Sequence, residues 1–126
     1  KDVAQRAPVF SPDGRKLALT YKQDNHWEVH VANANGSGET RLTSTPLTVI
    51  VDQQLKGKQA VPWNNAAPAW SPDGSQIIFL TDRNGQWEIW AMNADGSNQH
   101  PLLAGKAAAG LNIQYHGVDE RVLSWR

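Results

Sequence analysis

The sequence predicts an all-β chain built from repeated antiparallel meanders, and three observations carry that prediction. Residues 67–98, APAWSPDGSQIIFLTDRNGQWEIWAMNADGSN, align without a gap on residues 7–38, APVFSPDGRKLALTYKQDNHWEVHVANANGSG. Gly, Asn, Asp, Ser and Pro cluster at short intervals, the punctuation of tight turns. Between the clusters lie short runs rich in Val, Ile, Leu, Thr and Trp, side chains that suit a pleated, partly buried surface.

Each copy opens with a strand, Ala7-Pro8-Val9-Phe10 or Ala67-Pro68-Ala69-Trp70. A turn follows, Ser11-Pro12-Asp13-Gly14 or Ser71-Pro72-Asp73-Gly74. Pro suits the second position of a type I turn, Asp tolerates the third, and Gly supplies the left-handed residue after it. These eight residues are therefore read as turn formers rather than as chemistry. The second strand is Lys16–Tyr21 or Gln76–Thr81, and its second copy is apolar at successive positions, as in a strand buried on both faces. The next turn is Asp24-Asn25 in one copy and Asn84-Gly85 in the other. Asn-Gly favours a hairpin in which both central residues take positive φ. The third strand, Trp27–Val31 or Trp87–Ala91, alternates at period two and predicts largely buried Trp27 and Trp87 at equivalent places. It ends in Asn33–Ser37 or Asn93–Ser97, a further turn. A short fourth strand, Glu39–Leu42 or Gln99–Leu102, closes the unit. Pro101 cannot donate to a ladder and puts that strand at a sheet edge.

Each unit is thus a four-stranded meander of about forty residues, the period of a propeller blade. The predicted organisation is blade one over about 7–43, an inserted spacer over about 44–65, blade two over about 66–104, and the start of a third over about 111–126. In that third copy Gln114-Tyr115-His116-Gly117 stands where Ala69-Trp70-Ser71-Pro72 stood, and Arg121–Trp125 takes the second-strand position. Its turn, Gly117-Val118-Asp119-Glu120, departs from the earlier pattern. Propellers close with about four to eight blades. The chain is therefore expected to be a piece of a longer propeller, or to complete its sheets with other chains. A start at Lys1 rather than Met points the same way, to a processed or excised piece. An unfinished blade over 112–126 predicts self-association by swapping or sheet extension.

The totals exclude several function classes. At 126 residues the chain is at most one ordinary domain. Twelve basic and twelve acidic residues balance to zero, so no pull toward nucleic acid or an anionic membrane is encoded. There is no cysteine, hence no disulfide framework and no thiolate chemistry. No apolar run approaches membrane-spanning length, so no membrane insertion is expected, and no signal peptide is visible within these residues.

The pattern P-x-[WF]-S-P-D-G, W-E-[IV] and N-A-[DN]-G-S resembles the PD-type, WD-like β-propeller repeat, and most of all the propeller of the TolB-like family. Two full copies carry the resemblance, over 7–43 and 67–103. It implies an all-β partial propeller and a periplasmic or extracellular setting. Its implied function is a non-enzymatic scaffold for a protein or peptide. Related blades also occur in prolyl-oligopeptidase-like peptidases and in polysaccharide lyases. The alternative it implies is therefore the propeller portion of a larger enzyme, because fold does not fix function.

No catalytic constellation stands against the scaffold reading. G-x-S-x-G is absent, as are phosphate loops and H-E-x-x-H, and no cofactor is expected. His26 and His30 share a strand face, with Asp24 in the adjoining turn, but two histidines do not close a metal site. The Asn/Asp/Gly turns lack calcium-loop spacing. Trp27, Trp70 and Trp87 fall at repeat-equivalent positions, which argues for packing between blades. Trp63 sits instead in the spacer, followed by Asn64. It is read either as a contact residue or as an indole folded over the blade edge. Leu47–Val51 is a β-branched run, followed by a polar, basic tail with Gln54, Lys56 and Lys58. The spacer is expected to be a binding loop on one rim or an extended outer strand. The candidate partner-binding residues are Trp63, Asn64, Gln54, Lys56 and Lys58.

Overall fold

The computed structural model describes residues 4–23, 25–111 and 113. Residues 112 and 114–126, which carry the expected third copy and its self-association, lie outside them, as does Asp24 of the expected Asp24-Asn25 turn. Strands β1 (Ala4–Phe10), β2 (Lys16–Gln23), β3 (His26–Asn33) and β4 (Thr40–Arg41) form one antiparallel sheet in sequence order. Helix α1 (Leu47–Leu55) follows. A second antiparallel sheet, β5 (Asn65–Trp70), β6 (Gln76–Thr81), β7 (Glu88–Asn93) and β8 (His100–Leu103), is again in sequence order, and α2 (Gly105–Leu111) comes after it. Pro101 lies in β8, an edge strand.

The turns explain the sheets. The Gly14 and Gly74 amides donate to the carbonyls of Ser11 and Ser71 at 2.9 Å. Both glycines have positive φ, 73° and 75°, a conformation that penalises a Cβ. The turn at Asn84-Gly85 departs from expectation. Gly85 donates to Asp82 O at 2.9 Å, and Gly85 alone of the pair has positive φ, 85°. Arg83 and Asn84 are therefore the central residues of an ordinary turn and Gly85 the left-handed residue after it. Thr81 pairs with Glu88, so residues 82–87 form a longer loop built around that turn instead of a two-residue primed turn. In β5 the register shifts between Ala66 and Ala69, with Ala67 at φ 55°. That bulge seats Pro68, which has no N–H for the ladder.

The two sheets stack face to face through β5, which packs against β1, β2 and β3 and is buried along its whole length. Ala18 and Val29 of the first sheet meet Trp70, Ile77, Phe79 and Met92 of the second in one core. The Trp70 indole N–H donates to Val9 O across the joint at 2.9 Å. A second cluster joins Ala66, Ala67 and Leu80 to Trp27 and Trp87. These two indoles sit at equivalent places, Trp27 near the start of β3 and Trp87 just before β7, and each is partly buried, with some of the ring left to water where the adjoining turn opens the sheet.

The spacer is not an outer strand, and it is a loop only in part, over residues 42–46 and 56–64 on either side of α1. Its β-branched run is helical, with Val49, Ile50 and Gln53 turned toward the protein. β4 is only two residues long and offers little ladder to extend. A helix satisfies its backbone internally, without a partner strand.

Candidate functional site

In a meander of this order, the β1–β2 and β3–β4 turns share one end of the sheet. The β2–β3 turn and the link to the next sheet share the other. The spacer therefore meets the second sheet at its β6–β7 turn. Trp63 N–H donates to Thr45 Oγ1 at 2.7 Å. Asn64 donates to Asp82 twice, from its backbone N–H (2.7 Å) and its side-chain amide (2.9 Å), and accepts the Trp27 N–H at 2.9 Å. One side chain thus pins the spacer to both sheets.

Beside this joint, Gln53, Val61, Pro62, Trp63, Asp82 and Arg83 line a groove of about 300 Å³. The Arg83 guanidinium lies 4.6 Å from the Trp63 ring centre and 4.1 Å from that of Trp90. It donates to Thr81 Oγ1 at 3.0 Å, Asn65 Oδ1 at 3.2 Å and Gln99 Oε1 at 3.1 Å. Burial lowers the Arg83 pKa, and the charges of Glu28, Glu88 and Asp82 counter that. Guanidinium and indole together make an amphipathic wall suited to recognition, with stacking worth roughly 0.5–2 kcal/mol.

Two buried glutamates at repeat-equivalent positions brace the site and behave oppositely. Burial pushes the Glu28 carboxyl up, against bonds from Thr43 and Asn65 and the charge of His26. Burial also acts on Glu88, but four donors outweigh it: the Gly105 N–H, the Trp90 indole, and the Asn84 and Gln86 amides. They hold its pKa down at about 2.

The structure brings only part of the expected set together. Trp63 lines the groove. Asn64 is spent inside the joint. Gln54, Lys56 and Lys58 are exposed on and just after α1 and do not line the groove, and Lys56 pairs with Asp52 at 3.1 Å. Of the turn residues, Gly85 reaches the groove and Asn84 braces Glu88. His26 and His30 are committed to different carboxylates, Glu28 at 3.0 Å and Glu39 at 2.9 Å. Among the described residues no group of three or more His, Asp or Glu could hold a metal.

Sequence reasoning missed Asp82, Arg83 and Gln53. A signal was present: Asp82 and Arg83 replace Lys22 and Gln23 of the first copy, a reversal of charge in an otherwise faithful repeat. It also missed that α1 points Leu47, Val51 and Leu55 at solvent, 74%, 41% and 81% exposed. These lie at i, i+4 and i+8, so they form one ridge. Val61, also exposed, continues the apolar surface to the groove.

Two four-stranded antiparallel meanders stacked face to face are blades of a β-propeller. The chain belongs to the TolB beta propeller domain family, whose model matches residues 2–108. It is 37% identical over 101 residues to the Tol-Pal system protein TolB of Anaeromyxobacter dehalogenans (strain 2CP-C), covering 80% of this chain and 19% of that one. The structure of a putative TolB from Agrobacterium tumefaciens superposes with a TM-score of 0.64 at 25% identity, over 83% of this chain and 32% of the other. Puromycin hydrolase superposes with a TM-score of 0.59 at 20% identity, over 82% of this chain and 14% of its own, a likeness of fold alone. The chain spans a quarter or less of the length of the curated relatives it matches.

Proposed function

We propose that this chain is the propeller part of a non-enzymatic scaffold that binds a protein or peptide in the bacterial periplasm, through the rim formed by α1 and the Trp63 groove. The observation that carries the reading is the solvent-facing ridge of Leu47, Val51 and Leu55 beside a groove walled by Trp63 and Arg83. Apolar surface held out to water next to an aromatic–guanidinium wall is the composition of an interaction patch. The likeness to relatives named Tol-Pal system protein TolB supports this reading.

The test starts with affinity capture from periplasmic extract to identify a partner. The purified partner is then titrated against the chain, Trp63→Ala, and the double variant Leu47→Ser/Leu55→Ser. Both leucines are more than 70% exposed, so the double variant keeps its fold. A loss of about tenfold or more, near 1.4 kcal/mol, is expected from each variant. Unchanged affinity in both overturns the site. A second reading, the propeller portion of a larger peptidase, draws on the likeness of fold to puromycin hydrolase. A G-x-S-x-G motif in the parent reading frame would decide for it.

A further inference from the structure

The end of the two blades opposite the Trp63 groove holds a larger cavity, about 550 Å³, between the sheets. That size is within the roughly 300–1,000 Å³ of ligand pockets. Val31 and Leu42 of the first blade and Trp70 of the second give it an apolar floor. Its rim carries Asp13 from the β1–β2 turn, Asp73 from the β5–β6 turn and Asp95 from the β7–β8 turn. The last two turns are tied together by the Ala94 N–H donating to Ser75 O at 3.0 Å.

The three carboxylates are held alike. Asp13 Oδ1 accepts from Ser11 Oγ and the Arg15 N–H. Asp73 Oδ1 accepts from Ser71 Oγ and from the N–H and Oγ of Ser75. Asp95 Oδ1 accepts from the N–H and Oγ of Ser97. In each case Oδ1 serves the turn, and Oδ2 accepts no hydrogen bond from the described residues. The turn N–H and hydroxyl bonds keep all three ionised, with Asp73 held down at about 2. Two cations stand nearby. Lys16 is bonded to Asn33 Oδ1 at 2.8 Å, and Arg15 acts on Asp13. Asp73 and Asp95 on the second blade have no such counter-ion among the described residues.

We propose that this inter-blade cavity is a second recognition site, which takes an arginine side chain of a partner peptide between Asp73 and Asp95 and an aliphatic neighbour on the Val31, Leu42 and Trp70 floor. A guanidinium offers planar paired donors to carboxylate oxygens, and its stem lies along apolar surface. The cavity has room for more than one side chain, which selects a peptide over a free cation. This site is independent of the Trp63 rim and stands or falls separately from it.

The probe is acetyl-Leu-Arg-Leu-amide, titrated into the ¹⁵N-labelled chain and followed by amide shifts. Saturable shifts are expected at Thr40, Gly74, Ala94 and Asp95, with none along α1. Replacing arginine by citrulline, which keeps the shape without the charge, is expected to weaken binding about tenfold, the effect of losing charge-assisted bonds. Asp73→Asn/Asp95→Asn retains an Oδ1 for every turn bond and is expected to weaken binding by a similar factor with its thermal midpoint kept. Leu47→Ser/Leu55→Ser is expected to bind the probe as the parent does. Equal binding of the citrulline peptide overturns the proposal, as does unchanged affinity in the folded double aspartate variant. Equally tight binding of spermidine overturns it in favour of a small polyamine, and shifts confined to α1 and Trp63 overturn the location.

Discussion

Glu28 and Glu88 show how little of a buried residue's character lies in its own name. They occupy the same place in the two copies and are both 1% exposed, yet their surroundings push them in opposite directions. All the Glu88 acceptor positions face donors. In Glu88→Gln an amide would face donors with donors, leaving buried N–H groups unpaired at about 1–3 kcal/mol. Glu28 is different, because Thr43 and Asn65 both donate to Oε1, which glutamine keeps. Its new amide would face His26 Nε2, an acceptor in one tautomer. Urea denaturation at pH 7 is expected to show a loss of about 2 kcal/mol or more for Glu88→Gln and under about 1 kcal/mol for Glu28→Gln. Equal losses would defeat the contrast. The pH dependence follows in sign. Glu88 has a folded pKa of about 2 against an ordinary 4.5, so its ionised form stabilises the fold above about pH 4.5 and that contribution is lost as pH falls toward 2. Wild type and Glu88→Gln are therefore expected to converge on acidification. Glu28, raised by burial, contributes oppositely: protonation favours the fold, and that stability is lost as pH rises through its folded pKa.

At the scale of elements, the strands were legible and the spacer was not, for one physical reason. Strands and turns are written in local periodicity and in φ preferences, and the second copy repeats the first, so Gly14 and Gly74 share one conformation. The spacer has no second copy. Its Val49-Ile50-Val51 run has the composition of a strand but lies beside a two-residue β4 that leaves little edge to extend. The site was half legible for the same reason. Trp63 stood out as an aromatic outside the repeat, whereas the Arg83 surroundings are assembled from Asn65, Thr81 and Gln99, partners that no local pattern links. α1 itself is weakly held. It has nine residues, no side-chain cap at Pro46 and no fully buried residue. Isolated helices of that length are marginal. Its amides are expected to exchange with solvent about a hundredfold or more faster than those of β6, which is buried at five of six positions. Exchange of α1 as slow as that of β6 would mean that packing on Val49 and Ile50 fixes the helix far more firmly than its exposure implies.

The two blades are unequal partners, and that inequality predicts how the whole molecule unfolds. The large buried side chains, Trp70, Ile77, Phe79, Leu80 and Met92, come from the second blade, whereas the first supplies Ala18, Leu19, Val29 and Ala32. Among the described residues the first sheet therefore contributes mostly small buried apolar side chains and relies on the second for the bulk of the core across the joint. Polar bonds cross there too: Trp70 to Val9 O, the Ala67 N–H to Thr20 Oγ1 at 2.9 Å, Asn65 to Glu28 at 3.1 Å, and Gln99 to Leu42 O at 3.2 Å. In a repeat protein, stability is a sum of intrinsic and interface terms, and a unit with a small intrinsic term folds only with its neighbour. The blades are thus expected to unfold in one transition, with amide signals of β2 and β6 lost at the same urea concentration. Trp70→Ala empties the middle of the joint and removes the bond to Val9, at about 3–5 kcal/mol. Although Trp70 belongs to the second blade, the variant is expected to move the β2 and β6 midpoints down together. Loss of β2 ahead of β6 in the wild-type chain would show that the joint is weaker than its buried contacts imply, and the blades would then be separate folding units.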